Sequence, residues 1–277
     1  MNRFFKHLCA LLMLAATLFG VNPAHASMAI TPTHVVISGH NRYADVDVIN
    51  TSDDTNTYVM SWQYTRMNEG KGDYTALDKS PTDFDLGQHL VFTPRRITLS
   101  PHASQKIRMA LRLDGPPPAP GDYRAHFYLQ QVATPDSEDQ TKGDGQHASA
   151  AVKVMVSFSI PVVYRVGDSD ATAKIGTVRV QRNNDTGKIE LLVPITKGAS
   201  AYGIMGNIKV MYDTPDGSKR HIGGQSNANI FAEISHRDFV VPVNVDALSG
   251  GQLRVIYSDS DSESTVYDQK IIPVGSK

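Results

Sequence analysis

Apolar residues in this chain return at every second position and nowhere form a helical stripe of useful length, which restricts the chain to β-structure. A two-residue period puts alternate side chains on one face of a strand. The longest case is "AAVKVMVSFSIPVVYR", Ala150 to Arg165, where Val152, Val154, Val156, Phe158 and Ile160 alternate with Lys153, Met155, Ser157 and Ser159. "YADVDVIN" sets Ala44, Val46 and Val48 against Asp45 and Asp47, and "YVMSWQY" puts Tyr58, Met60, Trp62 and Tyr64 on one face. "LVFTPRRITLSPHASQKIRMALRL" breaks into short strands around Pro94 and Pro101, and "GPPPAPG" (115–121) is a stiff connection. "DYRAHFYLQQV" is the next strand, followed by the polar loop "ATPDSEDQTKGDGQHAS". Short strands spaced by about ten residues, with turn signals between them, predict a β-sandwich.

Composition shifts at "GDSDATA" (167–173), a candidate hinge. Beyond it the pattern resumes in "IGTVRVQ", "KIELLVPIT", "GNIKVMYD", "FVVPVNV", "LRVIYSD" and "VYDQKIIPV", with "NNDTG" and "TPDGS" as turns. The chain of 277 residues is therefore expected to hold two all-β domains, 27–166 and 167–277. Residues 1–26 are expected to be a secretory signal: Arg3 and Lys6 precede the apolar "LCALLMLAATLFGV", and "AHA" (24–26) offers small residues for cleavage after Ala26. The apolar run is too short for a favoured membrane helix, so no membrane insertion is expected after cleavage. The only cysteine, Cys9, lies in that leader, so the exported chain is left without thiols and must hold by apolar burial and hydrogen bonds.

The net charge of −1 gives no basic footprint for nucleic acid. The histidines are scattered, no Cys/His spacing matches a zinc site, and "SDSDSES" (258–264) lacks the glycine of a calcium loop. Neither a nucleophile elbow nor a phosphate-binding loop occurs. The expectation is a protein without metal, cofactor or catalytic residues.

Several stretches together resemble the periplasmic chaperones of chaperone–usher pilus assembly. "VINTSDDTNTYVMSWQ" is similar to that family's second and third strands, with Asn50 before the turn. "FTPRRITLSPHASQKIRM" resembles its signature through Pro94, Leu99, Pro101, Gln105, Ile107 and Arg108. "GDYRAHFYLQ" resembles a further segment, and "SFSIPVVYR" the end of the first domain. The resemblance implies two immunoglobulin-like β-sandwich domains in a boomerang, acting as a non-enzymatic, periplasmic chaperone. It would cap pilus or fimbrial subunits by donating a β-strand and deliver them to an outer-membrane usher.

On that reading Val152, Val154, Val156 and Phe158 enter the open groove of a subunit. Four such side chains contribute about 6–12 kcal/mol gross, much of it cancelled by ordering and association. The same periodicity fits an internal strand with neighbours on both flanks. Pro161 favours an edge, because it has no N–H to give a ladder.

The resemblance also implies an acid–arginine–acid bridge between the domains, falling on Asp122, Arg165 and Asp259. One departure is plain. Where the family places an arginine and a lysine to hold the subunit's terminal carboxylate, this chain has His34 and Pro161. The contact residues expected instead are His34, Arg124 and Arg165, and the chain resembles the archaic and alternate branches. A reading from another class is a secreted two-domain adhesin or glycan-binding module, which would need an exposed aromatic platform. Trp62, the only tryptophan, alternates into the expected core.

Overall fold

A computed structural model of the chain describes residues 27–39, 41–133, 155–260 and 264–275. The expected leader (1–26), most of the polar loop, and Val152 and Val154 lie outside these residues.

The first sandwich is built from ten strands: β1 (Met28–Thr31), β2 (Val35–Ser38), β3 (Tyr43–Asn50), β4 (Asn56–Met67), β5 (Tyr74–Leu77), β6 (Leu90–Thr93), β7 (Arg96–Leu99), β8 (Ser104–Leu111), β9 (Gly121–Val132) and β10 (Ser157–Val166). A one-turn helix, α1 (Leu86–His89), precedes β6, its N-terminus capped by the Asp85 side chain on Gly87 N–H. One sheet runs β1-β3-β8-β6; the other runs β2-β10-β9-β4-β5, with β7 also on β4. In immunoglobulin terms these are the A-B-E-D sheet and the A′-G-F-C sheet. Two of the crossings between the sheets, from β1 to β2 and from β6 to β7, carry a proline, Pro32 and Pro94. Pro101 separates β7 from β8. The prolines fall between strands because each removes a ladder donor.

The alternation read from the sequence is the burial pattern observed. Val46 and Val48 of β3, Tyr58 of β4, Ile107 and Met109 of β8, Phe127 and Leu129 of β9, and Val162 of β10 are sealed in one core. Trp62 and Tyr64 pack on its margin, and Trp62 Nε1 donates to Leu90 O at 3.1 Å. Asn50, fully buried, gives its amide to Leu99 O, Ser100 O and Asp54 O at 2.7–3.1 Å, which fixes the turn into β4.

The second sandwich holds β11 (Ala173–Ile175), β12 (Arg179–Arg182), β13 (Ile189–Lys197), β14 (Gly206–Asp213), β15 (Lys219–Gln225), β16 (His236–Pro242), β17 (Gln252–Asp259) and β18 (Val266–Pro273). β13 lies between β16 on one flank and both β11 and β12 on the other; the facing sheet runs β15-β14-β17-β18. The stretch "IGTVRVQ", read as one strand, is broken: Ile175 ends β11, and β12 starts at Arg179. Gly176 N–H turns to Pro194 O at 2.7 Å in the gap. Leu191, Val193, Ile195, Val210, Val241, Leu253, Val255 and Tyr257 form the second core. Met67 and Val163 of the first sandwich pack into that second cluster, so the two bodies share apolar surface.

Candidate functional site

β10 is the expected donor ribbon, and its two flanks differ. One flank is paired along its whole length with β9, antiparallel, from Ser157↔Gln130 to Val166↔Gly121. On the other flank β2 pairs in parallel, and only with Val162 to Arg165. Among the described residues, Ser157 to Pro161 therefore have a neighbour on one side only.

The direction of the main-chain groups follows from one bond. Gln131 N–H donates to Val156 O at 3.2 Å. In an antiparallel ladder the residues that face their partner alternate with residues that face away. Phe158 and Ile160 thus turn their N–H and C=O toward β9, and Ser157 and Ser159 turn theirs to the open flank. Pro161 is next in the outward series, where it has no N–H to leave unpaired.

The side chains of the ribbon divide the same way. Phe158, Ile160, Val162 and Tyr164 face the first core, with Phe158 only half-buried, and Val156 is half-buried before the strand begins. Of the four expected donor side chains, the structure places Val156 and Phe158 on this inward face; Val152 and Val154 lie outside the described residues.

Across from this rim stands β1, the end strand of the other sheet, paired only with β3 among the described residues. The two rims, β1 and β10, leave the sandwich open along one side. A cavity of about 430 Å³ lies there, walled by residues 28–30 and 158–161 of the first sandwich and by Asn227, Asn229 and Arg237 of the second. No aspartate or glutamate lines it.

The junction around the cavity is held at several points. Arg165 and Asp122 are cross-strand neighbours; Arg165 Nε and Nη2 bond Asp122 Oδ1 and Oδ2 at 2.8 and 2.7 Å. The Asp122 carboxylate keeps the guanidinium above its ordinary pKa. The second sandwich answers with main chain: Arg165 Nη2 donates to Gly203 O at 3.0 Å, and Gly203 N–H donates to Asp122 Oδ2 at 2.9 Å. The expected second acid does not join them. Asp259 ends β17 and accepts the Thr265 N–H at 2.6 Å, and the Gly203 carbonyl takes its place beside Arg165.

The turn between β4 and β5 adds a clamp. Gly70 N–H donates to His236 O at 3.1 Å and Gly70 O accepts Asp238 N–H at 2.7 Å, while Glu69 accepts the Ser235 N–H and hydroxyl. Those bonds hold the Glu69 carboxyl below its usual range. Arg124, 8% exposed at its side chain, is paired with Glu233, donates to Thr65 O, and lies over Phe231. Beside it His126 is buried, which pushes its pKa down to about 3, with the Arg124 charge adding to the effect. Arg124 donates to Nε2, so the proton sits on Nδ1, within 3.1 Å of Ser159 Oγ.

The three residues expected to meet a carboxylate are thus already engaged, and none lines the cavity. Arg124 has Glu233, Arg165 has Asp122, and His34 Nε2 is 3.1 Å from Ser260 Oγ of the second sandwich. The cationic side chain that does line it, Arg237, was not read from the sequence: "SHRDFVV" gives no sign that β16 comes against the first sandwich. Among the described residues no group of three or more His, Cys, Asp or Glu could hold a metal ion, and no helix is long and apolar enough to cross a membrane.

No family model and no curated protein matches the chain. Among solved structures it is similar to the class 5 fimbriae chaperone CfaA, with 15% identity over 89% of this chain and 98% of that one and a TM-score of 0.42. It is similar to the E. coli chaperone DraB, with 15% identity over 91% and 97% and a TM-score of 0.44. A chain of the CsuC–CsuE chaperone–tip adhesion subunit pre-assembly complex, from the archaic chaperone–usher Csu pili of Acinetobacter baumannii, aligns with 10% identity over 91% and 100% and a TM-score of 0.44.

Proposed function

We propose that this protein is an exported, non-enzymatic chaperone that caps incomplete β-sandwich subunits of a surface fibre by lending them the free rim of β10. The observation that supports it is the half-paired ribbon: from Ser157 to Pro161 one flank carries β9 and the other carries none of the described residues. A subunit that lacks a strand exposes an apolar groove and unpaired main-chain groups, both of which invite aggregation. The β10 rim offers outward main-chain groups, and the run Val152, Val154, Val156 and Phe158 offers apolar side chains at the strand period.

Release to an outer-membrane usher and exchange for a neighbouring subunit's strand follow from the same chemistry, since one donated strand is displaced by another without cofactor or ATP. The periplasm is the compartment the leader and the missing thiols suit. The test is co-purification of candidate fibre subunits with the wild type and with Val156→Asp. A charge in the ribbon is expected to abolish capture, and equal capture by both proteins would refute the donor role. An adhesin instead would retain a glycan and ignore the subunits.

A further inference from the structure

A line of polar contacts runs from the second sandwich to the free rim of β10. It starts at Glu233, in the loop between β15 and β16, which accepts the Met67 N–H at 3.0 Å and pairs with Arg124. The Arg124 guanidinium also donates from Nη2 to Thr65 O at 3.0 Å and lies 4.0 Å from the centre of the Phe231 ring, again of the second sandwich. Of the two Nη1 protons, one serves Thr65 Oγ1 at 3.2 Å and the other His126 Nε2. The line ends at Ser159, whose Oγ is 3.1 Å from His126 Nδ1.

The order of donors along this line is forced. Burial and the Arg124 charge keep the imidazole neutral, with one N–H and one bare nitrogen. Arg124 has only protons to give, so the bare nitrogen is Nε2 and the N–H is Nδ1. Ser159 Oγ must then accept, and the hydroxyl keeps its own proton to donate. No other partner meets that hydroxyl among the described residues. Ser159 is exposed, lines the cavity, and belongs to the stretch of β10 with an open flank. With the other tautomer the bare Nδ1 would draw the serine proton inward, and the rim would show only lone pairs.

We propose that the second sandwich, acting through Glu233, Arg124 and His126, turns the Ser159 hydroxyl outward as a donor to the side chain that faces it on a strand added along β10. The inference rests on the capping reading and adds what the rim selects: a strand with an oxygen acceptor opposite Ser159, from serine, threonine, asparagine or glutamine, over one with an alkyl group there. Hydroxyl bonds between residues opposed on neighbouring strands stabilise a sheet. Ser159 makes the contact; Glu233, Arg124 and His126 position it. Selectivity at the rim is thereby tied to the docking of the two sandwiches, since Arg124 is held from both.

The test uses the exported full chain and two acetylated, amidated hexapeptides, one alternating valine with threonine and one alternating valine with alanine. Nitrogen–proton spectra follow the imidazole nitrogens of His126 and the amides of residues 157–160. In the wild type the His126 proton is expected on Nδ1, and Ser159→Ala is expected to weaken the threonine peptide about fivefold while hardly affecting the alanine peptide. Glu233→Ala should give the same selective loss with Ser159 in place, together with a mixed-tautomer His126 signal. Glu233→Gln, which keeps an oxygen for Arg124, should restore much of both. A proton on Nε2 in the wild type, equal losses for the two peptides, unmoved amides with the threonine peptide, or a Glu233→Ala protein that keeps both tautomer and preference would overturn the proposal. If Glu233→Ala fails to fold, the wild-type tautomer and the Ser159→Ala comparison decide. Subunit capture separates the two readings. If Ser159→Ala and wild type capture subunits equally while Val156→Asp does not, capping stands and the Ser159 contact falls. If the peptides are discriminated but no subunit is captured, the Ser159 contact stands and capping falls.

Discussion

Arg165 and Asp122 face each other across the β9–β10 ladder, at a pair where the strands' main-chain groups point away, and their bridge is completed by both main-chain groups of Gly203 from the second sandwich. At such positions opposed side chains approach most closely. Asp122 is 5% exposed at its side chain and Arg165 24%, so removing one partner strands the other. Asp122→Ala should cost about 3 kcal/mol in urea unfolding. The double variant with Arg165→Ala should cost less than the two single losses added. Simple additivity would mean that the pair does not couple.

Gly203 is small for a reason other than conformational freedom. A Cβ would meet Phe231 Cα, Ala232 N and Ile230 O at 3.0–3.1 Å, all of them main chain. Gly203→Ala must therefore shift the Gly203 segment against residues 230–232 of its own sandwich, and that shift weakens both bonds to the Arg165–Asp122 pair. We expect faster protease cleavage within 167–172, with each sandwich still folded by circular dichroism. An unchanged cleavage rate would show that the joint tolerates the shift.

The ladder parity of β10 makes a sharper contrast. Ser157→Pro removes an N–H that faces the open flank, whereas Phe158→Pro removes one that serves β9. The first should leave the melting temperature nearly unchanged and weaken subunit capture. The second should lower stability by about 1–3 kcal/mol, the cost of leaving a ladder partner on β9 unpaired. Equal destabilisation by the two would contradict the assigned direction of the rim.

His126 gives the first sandwich an acid-sensitive point. An unfolded imidazole takes its proton near pH 6.5, but the buried one takes it only near pH 3. Between those values the unfolded state binds more protons, so stability falls as pH falls, by a few kcal/mol at the acid end. Above about pH 6.5 both forms are neutral and the contribution is flat. His126→Gln should flatten the pH dependence of the urea midpoint between pH 6 and about 4 by up to one proton. An unaltered slope would place the acid sensitivity elsewhere.

Most strands of this protein were legible because they bury one face, and a two-residue period is what one buried face writes into a sequence. Val46, Val48, Ile107, Met109, Phe127 and Leu129 needed no further information. Some of the sheet crossings were marked by prolines, which have no N–H to pair. Asp122 and Arg165 were reached through the resemblance to the pilus chaperones, since alternation alone pairs no charges. What the sequence left open was which rim of β10 is free, because an edge strand and a paired one share the same alternation, and only the short reach of β2 decides it. The exchange of Asp259 for the Gly203 carbonyl had no sequence signal, since every residue carries a carbonyl and only the docking of the two sandwiches selects one. Arg237 stayed hidden for the same reason: a lone arginine on a strand becomes an unpaired cation in a cleft only when the turn of another domain closes over it.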